Sequence, residues 1–367
     1  MTPENIHPLF TPVTIGTTEL NNRIVMAPMT RNRSDDEQHL ANSLMAEYYG
    51  QRATAGLIIS EGIFVSPDAA GYIRVPGLYT KAQTDSWKAV TETVHRRGGK
   101  IFAQLWHTGR ISHPDFHNGR LPPAPSAINP QVQAYTHNGP KDTVTPKAMN
   151  LAEIKTTILD FKNAALNALE AGFDGVEIHA ANGYLFHQFL ARCANNRTDD
   201  YGGSIENRCR FLLETLNTMT AVIGAENIGL RLNPDLSDSF GITVDESTRP
   251  TFDFLVEKLN DYALAYLHLS GFSKSDTPSS VEAVMDMAAH FREIYNGKLM
   301  INRGFDAKNA ARAVAEGITD MVSFGIPFIA NPDLVARFRK NLPLNKADRS
   351  TFYSKGPGGY IDYPWAH

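Results

Sequence analysis

Apolar residues along this chain follow two alternating rhythms. Short β-rich runs, nearly continuous in apolar residues, occur at 24–28 (IVMAP), 55–62 (AGLIISEG), 100–106 (KIFAQLW) and 175–180 (GVEIHA). Four more lie at 228–233 (IGLRLN), 264–270 (LAYLHLS), 299–304 (LMINRG) and 320–325 (DMVSFG). Such runs suit parallel strands covered on both faces. Between them the apolar residues recur every three or four positions. Ile154, Ile158, Phe161, Ala165 and Leu169 predict a helix that Gly172 stops. Ile205, Cys209, Leu212, Leu216, Met219 and Ile223 predict a second, with Ser204 at its N-cap and Gly224 just past its end. Asn331-Pro332 reads as a cap followed by proline at the first helical position.

Eight strands, each followed by a helix, predict an α/β fold closed into a single (β/α)8 TIM barrel, because parallel strands need crossovers and the crossovers close a ring. A doubly wound open sheet is the structural alternative, but no G-x-G-x-x-G follows the first strand. The chain is roughly 100 residues longer than a typical barrel. Residues 9–22 (LFTPVTIGTTELNN) read as an N-terminal hairpin plugging the barrel bottom. Residues 107–150, rich in Pro, Asn, His and Gly, form a long excursion after the third strand, read as a lid within one domain spanning 1–367, with an ordinary surface loop as the alternative.

Composition narrows the function classes. Thirty-five basic and 39 acidic side chains leave a net charge of −4 without basic runs, which argues against nucleic acid as a partner. Two cysteines cannot build a disulfide scaffold or supply the four thiolates that an iron–sulfur cluster usually takes. The start, MTPENIHPLF, has neither a basic nor an apolar segment of secretory type, and no apolar run approaches the roughly 18 residues of a spanning helix. The expectation is a cytoplasmic metabolic protein with no membrane partner.

In a barrel the chemistry lies at the C-terminal ends of the strands. The fourth strand runs into EIHAANGYLFHQF, where Glu177 and His179 share a face and Asn182 and Tyr184 follow. His179 and Asn182 can each donate a hydrogen bond to one oxygen, favouring negative charge there. A tyrosine, with an ordinary pKa near 10, remains a proton donor at neutral pH. This set could make and protonate an enolate, the reading its place at a barrel strand's end favours; the alternative is a packed histidine and aromatic. Glu177 and His179 could instead ligate a metal, although no H-x-H follows the first strand. Gly304 and Gly325, after strands seven and eight, offer backbone N–H groups where barrels commonly hold a phosphate, with Asp306 as a helix cap. Gln104 and Arg231 are polar residues inside apolar strands and require partners, such as a flat cofactor with a phosphate tail or a structural ion pair. Cys209 falls on a core-facing stripe, and Cys193 is read as a packing residue near the site.

Here the chain resembles the Old Yellow Enzyme family of FMN-dependent ene-reductases, and within it the N-ethylmaleimide reductase group. The resemblance covers NRIVMAPMTRNR (22–33), AEYYGQRATAGLIISEG (46–62), AQLWHTGRISHP (103–114), AGFDGVEIHAANGYLFHQFL (171–190), NNRTDDYGGSIENRCRFLLE (195–214), FIANPDL (328–334) and GYIDYPW (359–365). It implies non-covalent FMN, NADPH or NADH as reductant, and electron-poor alkenes as substrates of a monomer or homodimer. By the same resemblance Pro28, Met29 and Thr30 line the flavin, Gly62 and Gln104 contact its ring, and Arg231 sits by N1 and the C2 carbonyl. His179 and Asn182 bind the substrate oxygen, Tyr184 protonates the α carbon, and Tyr72, Trp106 and Tyr353 wall the pocket. One departure stands out. The family pattern after strand eight is F-G-R, with the arginine on the FMN phosphate; this chain has Phe324-Gly325-Ile326. Losing that contact costs roughly 1.5–3 kcal/mol, and Arg303 at the adjacent strand end is expected to replace it.

Overall fold

The computed structural model describes residues 3–271 and 281–366. Eight parallel strands form a closed barrel: β1 (Ile24–Met26), β2 (Leu57–Phe64), β3 (Ile101–Trp106), β4 (Gly175–Ala180), β5 (Ile228–Leu232), β6 (Tyr266–Ser270), β7 (Leu299–Asn302) and β8 (Met321–Phe324). Neighbours in sequence are neighbours in space, and β8 closes on β1 through pairs such as Phe324 with Met26. All eight apolar runs are strands of this barrel. β2 continues two residues past its expected end, and its register against β3 shifts between Ile59 and Gly62. Gly62 therefore lies inside a strand rather than at its end.

The main helices that follow the strands are α1 (Ser43–Gln51), α2 (Lys81–Arg96), α3 (Leu151–Glu170), α4 (Ile205–Ile223), α5 (Thr248–Leu259), α6 (Val281–Ile294), α7 (Ala307–Ala315) and α8 (Leu334–Lys340). Local chemistry sets their starts. The Asn150 side chain caps Glu153 while Glu153 reaches back to the Asn150 N–H; Ser204 and Asp306 cap α4 and α7 as expected. The α3 stripe stops one residue short, since Leu169 is 36% exposed. The Asn331-Pro332 reading needs correcting. Asn331 closes a short helix, Ile326–Ala330, with its Nδ2 donating to the Pro327 carbonyl at 2.8 Å and its Oδ1 accepting from the Asn345 N–H at 2.7 Å. α8 begins only after Asp333. A distant chain segment, Asn345, decides the role of that asparagine.

The barrel interior is layered. At its bottom a hairpin, Val13–Ile15 against Thr18–Leu20, plugs the opening as expected. Its Val13, Ile15 and Leu20 form one buried cluster with Val25, Leu57, Ile59, Phe102, Tyr266, Met300 and Met321 from the strands. Each aliphatic side chain so buried contributes about 1.5–3 kcal/mol. Gly229 makes room for one of the rings: a Cβ there would lie 2.3 Å from Tyr266 Cζ. At the other end the 107–150 excursion folds into a hairpin, Gln133–Thr136 with Gly139–Asp142, and a small parallel pair, Pro123–Ala124 with Lys147–Ala148. The hairpin tip reaches the loop after β1, where His137 Nδ1 lies 3.3 Å from Asp36 Oδ2. Among the described residues no helix is long and apolar enough to cross a membrane.

Candidate active site

Above the apolar bottom, inward-facing positions turn polar. Glu177, fully buried on β4, accepts from Gln104 Nε2 at 2.8 Å and pairs with His268 Nδ1 at 2.8 Å; His268 Nε2 in turn meets Ser323 Oγ at 2.8 Å. Burial disfavours ionised Glu177, but His268, Arg231 and Gln104 outweigh it and hold the carboxyl below its ordinary range. Burial, then the Arg231 charge, lowers His268 to about 4, so it is neutral and donates Nδ1–H to the carboxylate. Arg231 donates to Ser270 Oγ and Asn302 Oδ1, both at 3.1 Å. Glu177 and Arg231 thus offset each other's charge through a neutral histidine, which makes their burial tolerable. Glu177 is committed to this layer, and among the described residues no cluster suited to a metal ion occurs. Gln104 and Arg231 find partners here that sequence alone did not reveal.

At the mouth, four rings pack against one another. Tyr72 stacks on Trp106 with centroids 5.2 Å apart, Trp106 meets Tyr184 edge-on at 4.8 Å, and His179 lies 5.2 Å from Tyr184. Gly62 permits this, because a Cβ there would sit 2.3 Å from Trp106 Cε3. The Tyr72 and Tyr184 hydroxyls are hydrogen-bonded at 3.0 Å. Burial, then Tyr72, pushes the Tyr184 hydroxyl well above its ordinary pKa; burial likewise raises Tyr72 to about 12. Burial, then the Arg231 charge, drives His179 well below 6.5, so its ring is neutral.

The turn after β4 places these groups. Asn182, at φ +55°, and Gly183 reverse the chain before the short helix Leu185–Leu190. Gln188 Nε2 locks the turn by donating to the carbonyls of Gly183 and Thr108. Asn182 Oδ1 accepts from Asn233 Nδ2 at 3.1 Å. The other expected residues ring the same mouth. Pro28, Met29 and Thr30 lie half-buried after β1, and a Cβ on Gly325 would stand 3.4 Å from Met29 Sδ. Arg303 and Gly304 follow β7 at φ +115° and +74°, and the Arg303 charge is felt at Arg231. Ile326 stands 47% exposed. Tyr353 is the outlying member, 62% exposed, although its charge would be felt at both Tyr72 and Tyr184. Cys209 is buried, whereas Cys193 packs its Sγ under the loop at Gly241 and Thr243.

Sequence reasoning missed His268, Ser323, Asn233 and Phe240, whose ring lies 5.7 Å from Tyr184. The first two had a readable signal, as polar residues at inward positions of apolar strands. Phe240 had none, since it arrives on a loop.

A closed barrel with a buried arginine, strand-end glycines and an aromatic mouth defines a flavin-oxidoreductase type of site. Residues 8–345 match the model of the NADH:flavin oxidoreductase / NADH oxidase family. The chain is 41% identical over 370 residues to 12-oxophytodienoate reductase 1 of Oryza sativa subsp. japonica, covering 98% of this chain and 93% of that protein. Among solved structures it is similar to morphinone reductase in complex with tetrahydroNAD, with TM-score 0.91, 43% identity and 98% of each chain covered. It is also similar to the Old Yellow Enzyme homologue from Zymomonas mobilis, with TM-score 0.91, 40% identity, and 97% of this chain and 99% of that one covered. The chain belongs to the Old Yellow Enzyme family of flavin oxidoreductases. It is an FMN-dependent enzyme that reduces activated alkenes with NAD(P)H. The strand ends fit that cofactor: Arg231 Nε is buried with no partner among the described residues, leaving a donor for a bound acceptor, and His179 Nδ1 is likewise buried and unpartnered.

Proposed function

We propose that Tyr184, His179 and Asn182 carry the alkene chemistry, over a flavin held by the strand ends. The observation that carries this reading is the Tyr184 hydroxyl, hydrogen-bonded to Tyr72 and held protonated beside a neutral His179. FMN, bound non-covalently, supplies the two-electron link between reduced nicotinamide (NADPH or NADH) and the alkene in two alternating half-reactions. His179 and Asn182 donate hydrogen bonds to the carbonyl or nitro oxygen of the alkene, where negative charge develops. Tyr184 gives its proton to the α carbon, and Tyr72, 3.0 Å away, donates to the oxygen left behind. Tyr72, Trp106 and Tyr353 shape the wall.

Pro28, Met29, Thr30, Gly62, Gln104, Arg231, Gly304 and Gly325 hold the flavin. Arg303 takes its phosphate in place of the arginine absent at 326. Two observations support Arg303: its φ of +115° strains a non-glycine residue, and its charge opposes that of Arg231, a repulsion that an anion would relieve. The whole chain acts as one flavin-binding unit with 107–150 as its lid, as a cytoplasmic monomer or homodimer whose partners are small electron-poor alkenes.

Anaerobic rapid mixing tests the reading. The purified protein is expected to be yellow, to bleach with NADPH or NADH, and to recover its colour with cyclohexenone. Tyr184→Phe should bleach at the native rate and recover slowly. The opposite pattern would remove Tyr184 from the proton-donor role.

A further inference from the structure

We infer that Asn233 is a positioning residue, which occupies the accepting end of the Asn182 amide so that its donating end is left for the substrate. A side-chain amide has a donating end and an accepting end, and only the NH2 end can serve a carbonyl or nitro oxygen. Nothing in the Asn182 backbone makes that choice. Its φ of +55° aims the side chain but leaves the amide free to turn over.

Asn233 supplies a partner for the accepting end. It follows directly on β5, and the parallel register that pairs His179 with Arg231 and Ala180 with Leu232 brings the ends of β4 and β5 side by side. From there Asn233 Nδ2 donates to Asn182 Oδ1 at 3.1 Å, which occupies the accepting end and leaves the NH2 group for the mouth. Asn233 is itself buried, and its own Oδ1 is a buried acceptor with no partner among the described residues. A residue that served packing alone would gain nothing from that unmet carbonyl, whereas a donor aimed at Asn182 requires an amide or hydroxyl in this place. Turning both amides over would present Asn182 Oδ1 to the substrate oxygen, acceptor against acceptor.

This inference rests on the reading that Asn182 donates to the substrate, and the experiment separates the two. Asn233→Asp keeps the size and can still bond to Asn182, but at neutral pH it only accepts, so it draws the Asn182 NH2 inward. Asn233→Leu keeps the volume and removes both polar ends. Reoxidation of the reduced holoenzyme by cyclohexenone is expected to slow about ten- to a hundredfold in Asn233→Asp and about threefold in Asn233→Leu, with FMN content unchanged. The Asn233→Asp rate should recover as the pH falls and the new carboxyl becomes a donor, while the native rate stays flat. In an Asn182→Ala background Asn233→Asp should matter less than about twofold. Should the carboxylate prevent folding, Asn233→Thr against Asn233→Val repeats the comparison, with Thr retaining the native rate and Val slowing about threefold. Equal damage from Leu and Asp, or from Thr and Val, overturns the positioning role, as does a full effect of Asn233→Asp without Asn182. Native kinetics in Asn182→Ala overturn the Asn182 reading, and this inference with it.

Discussion

The two ends of the same eight strands are made of opposite materials. At the bottom the inward positions carry Val25, Leu57, Ile59, Phe102, Met300 and Met321, sealed by Val13, Ile15 and Leu20 of the hairpin. Two residues further along the strands, the inward positions carry Gln104, Glu177, His268, Ser323 and Arg231, joined by hydrogen bonds. The bottom gains stability from non-directional burial and needs only shape. The top satisfies buried charge through directional contacts, each with one partner, and holds its donors in fixed places. Strain is found there too, with Asn182 and Arg303 at positive φ. Stability and chemistry are therefore separable along the barrel axis.

Substitutions at each end should keep that separation. The largest effect is expected from Tyr184→Phe, which should slow reoxidation by an enone about a hundred- to ten-thousandfold while leaving the melting temperature unchanged. Glu177→Ala strikes the polar network of the top and is the expected exception, because charge balance there serves stability as well as the cofactor. It leaves Arg231 buried without its counter-charge, so chemical denaturation should show a loss of about 3–5 kcal/mol together with weaker FMN binding. At the bottom, Ile15→Ala should cost about 2–4 kcal/mol of stability by cavity formation, with kcat unchanged once folded. A fall in kcat there would break the comparison. Arg303→Ala is expected to raise the FMN dissociation constant about ten- to a hundredfold, or roughly 1.5–3 kcal/mol. An unchanged constant would leave the phosphate to other groups.

The smallest effect concerns pH. Glu61 is buried on β2, and burial, only partly offset by Tyr49, Arg31 and Arg33, raises its carboxyl to about 7. Its folded pKa exceeds the unfolded value, so the stability it contributes is full below about pH 4.5 and is lost as pH rises through 7. Glu61→Gln should thus stabilise the protein by on the order of 2 kcal/mol at pH 8 and by little at pH 5. Equal melting shifts at both values would contradict that environment.

Much of this was readable in the chain, and for a physical reason. Strand and helix periods are local, so the eight runs and the α3 and α4 stripes announce themselves without knowledge of neighbours. The EIHAANGY segment was readable because its candidate groups lie within eight residues on one strand and turn. What failed were features whose partners are remote. Asn331-Pro332 looks like a helix start until Asn345 claims the asparagine. Gln104 looked free for a cofactor until Glu177, 73 residues away, took one end of its amide.

The sequence by itself determined the barrel, its bottom plug and the family, because periodicity and contiguous motifs are written in neighbouring residues. Only the tertiary structure decided the protonation states and the orientations. His179 is neutral because folding buries it and brings Arg231 beside it, and Asn182 Oδ1 has a donor because the end of β5 lays Asn233 alongside. Charge and hydrogen-bond direction depend on distance in space, which a chain acquires only when its strands close.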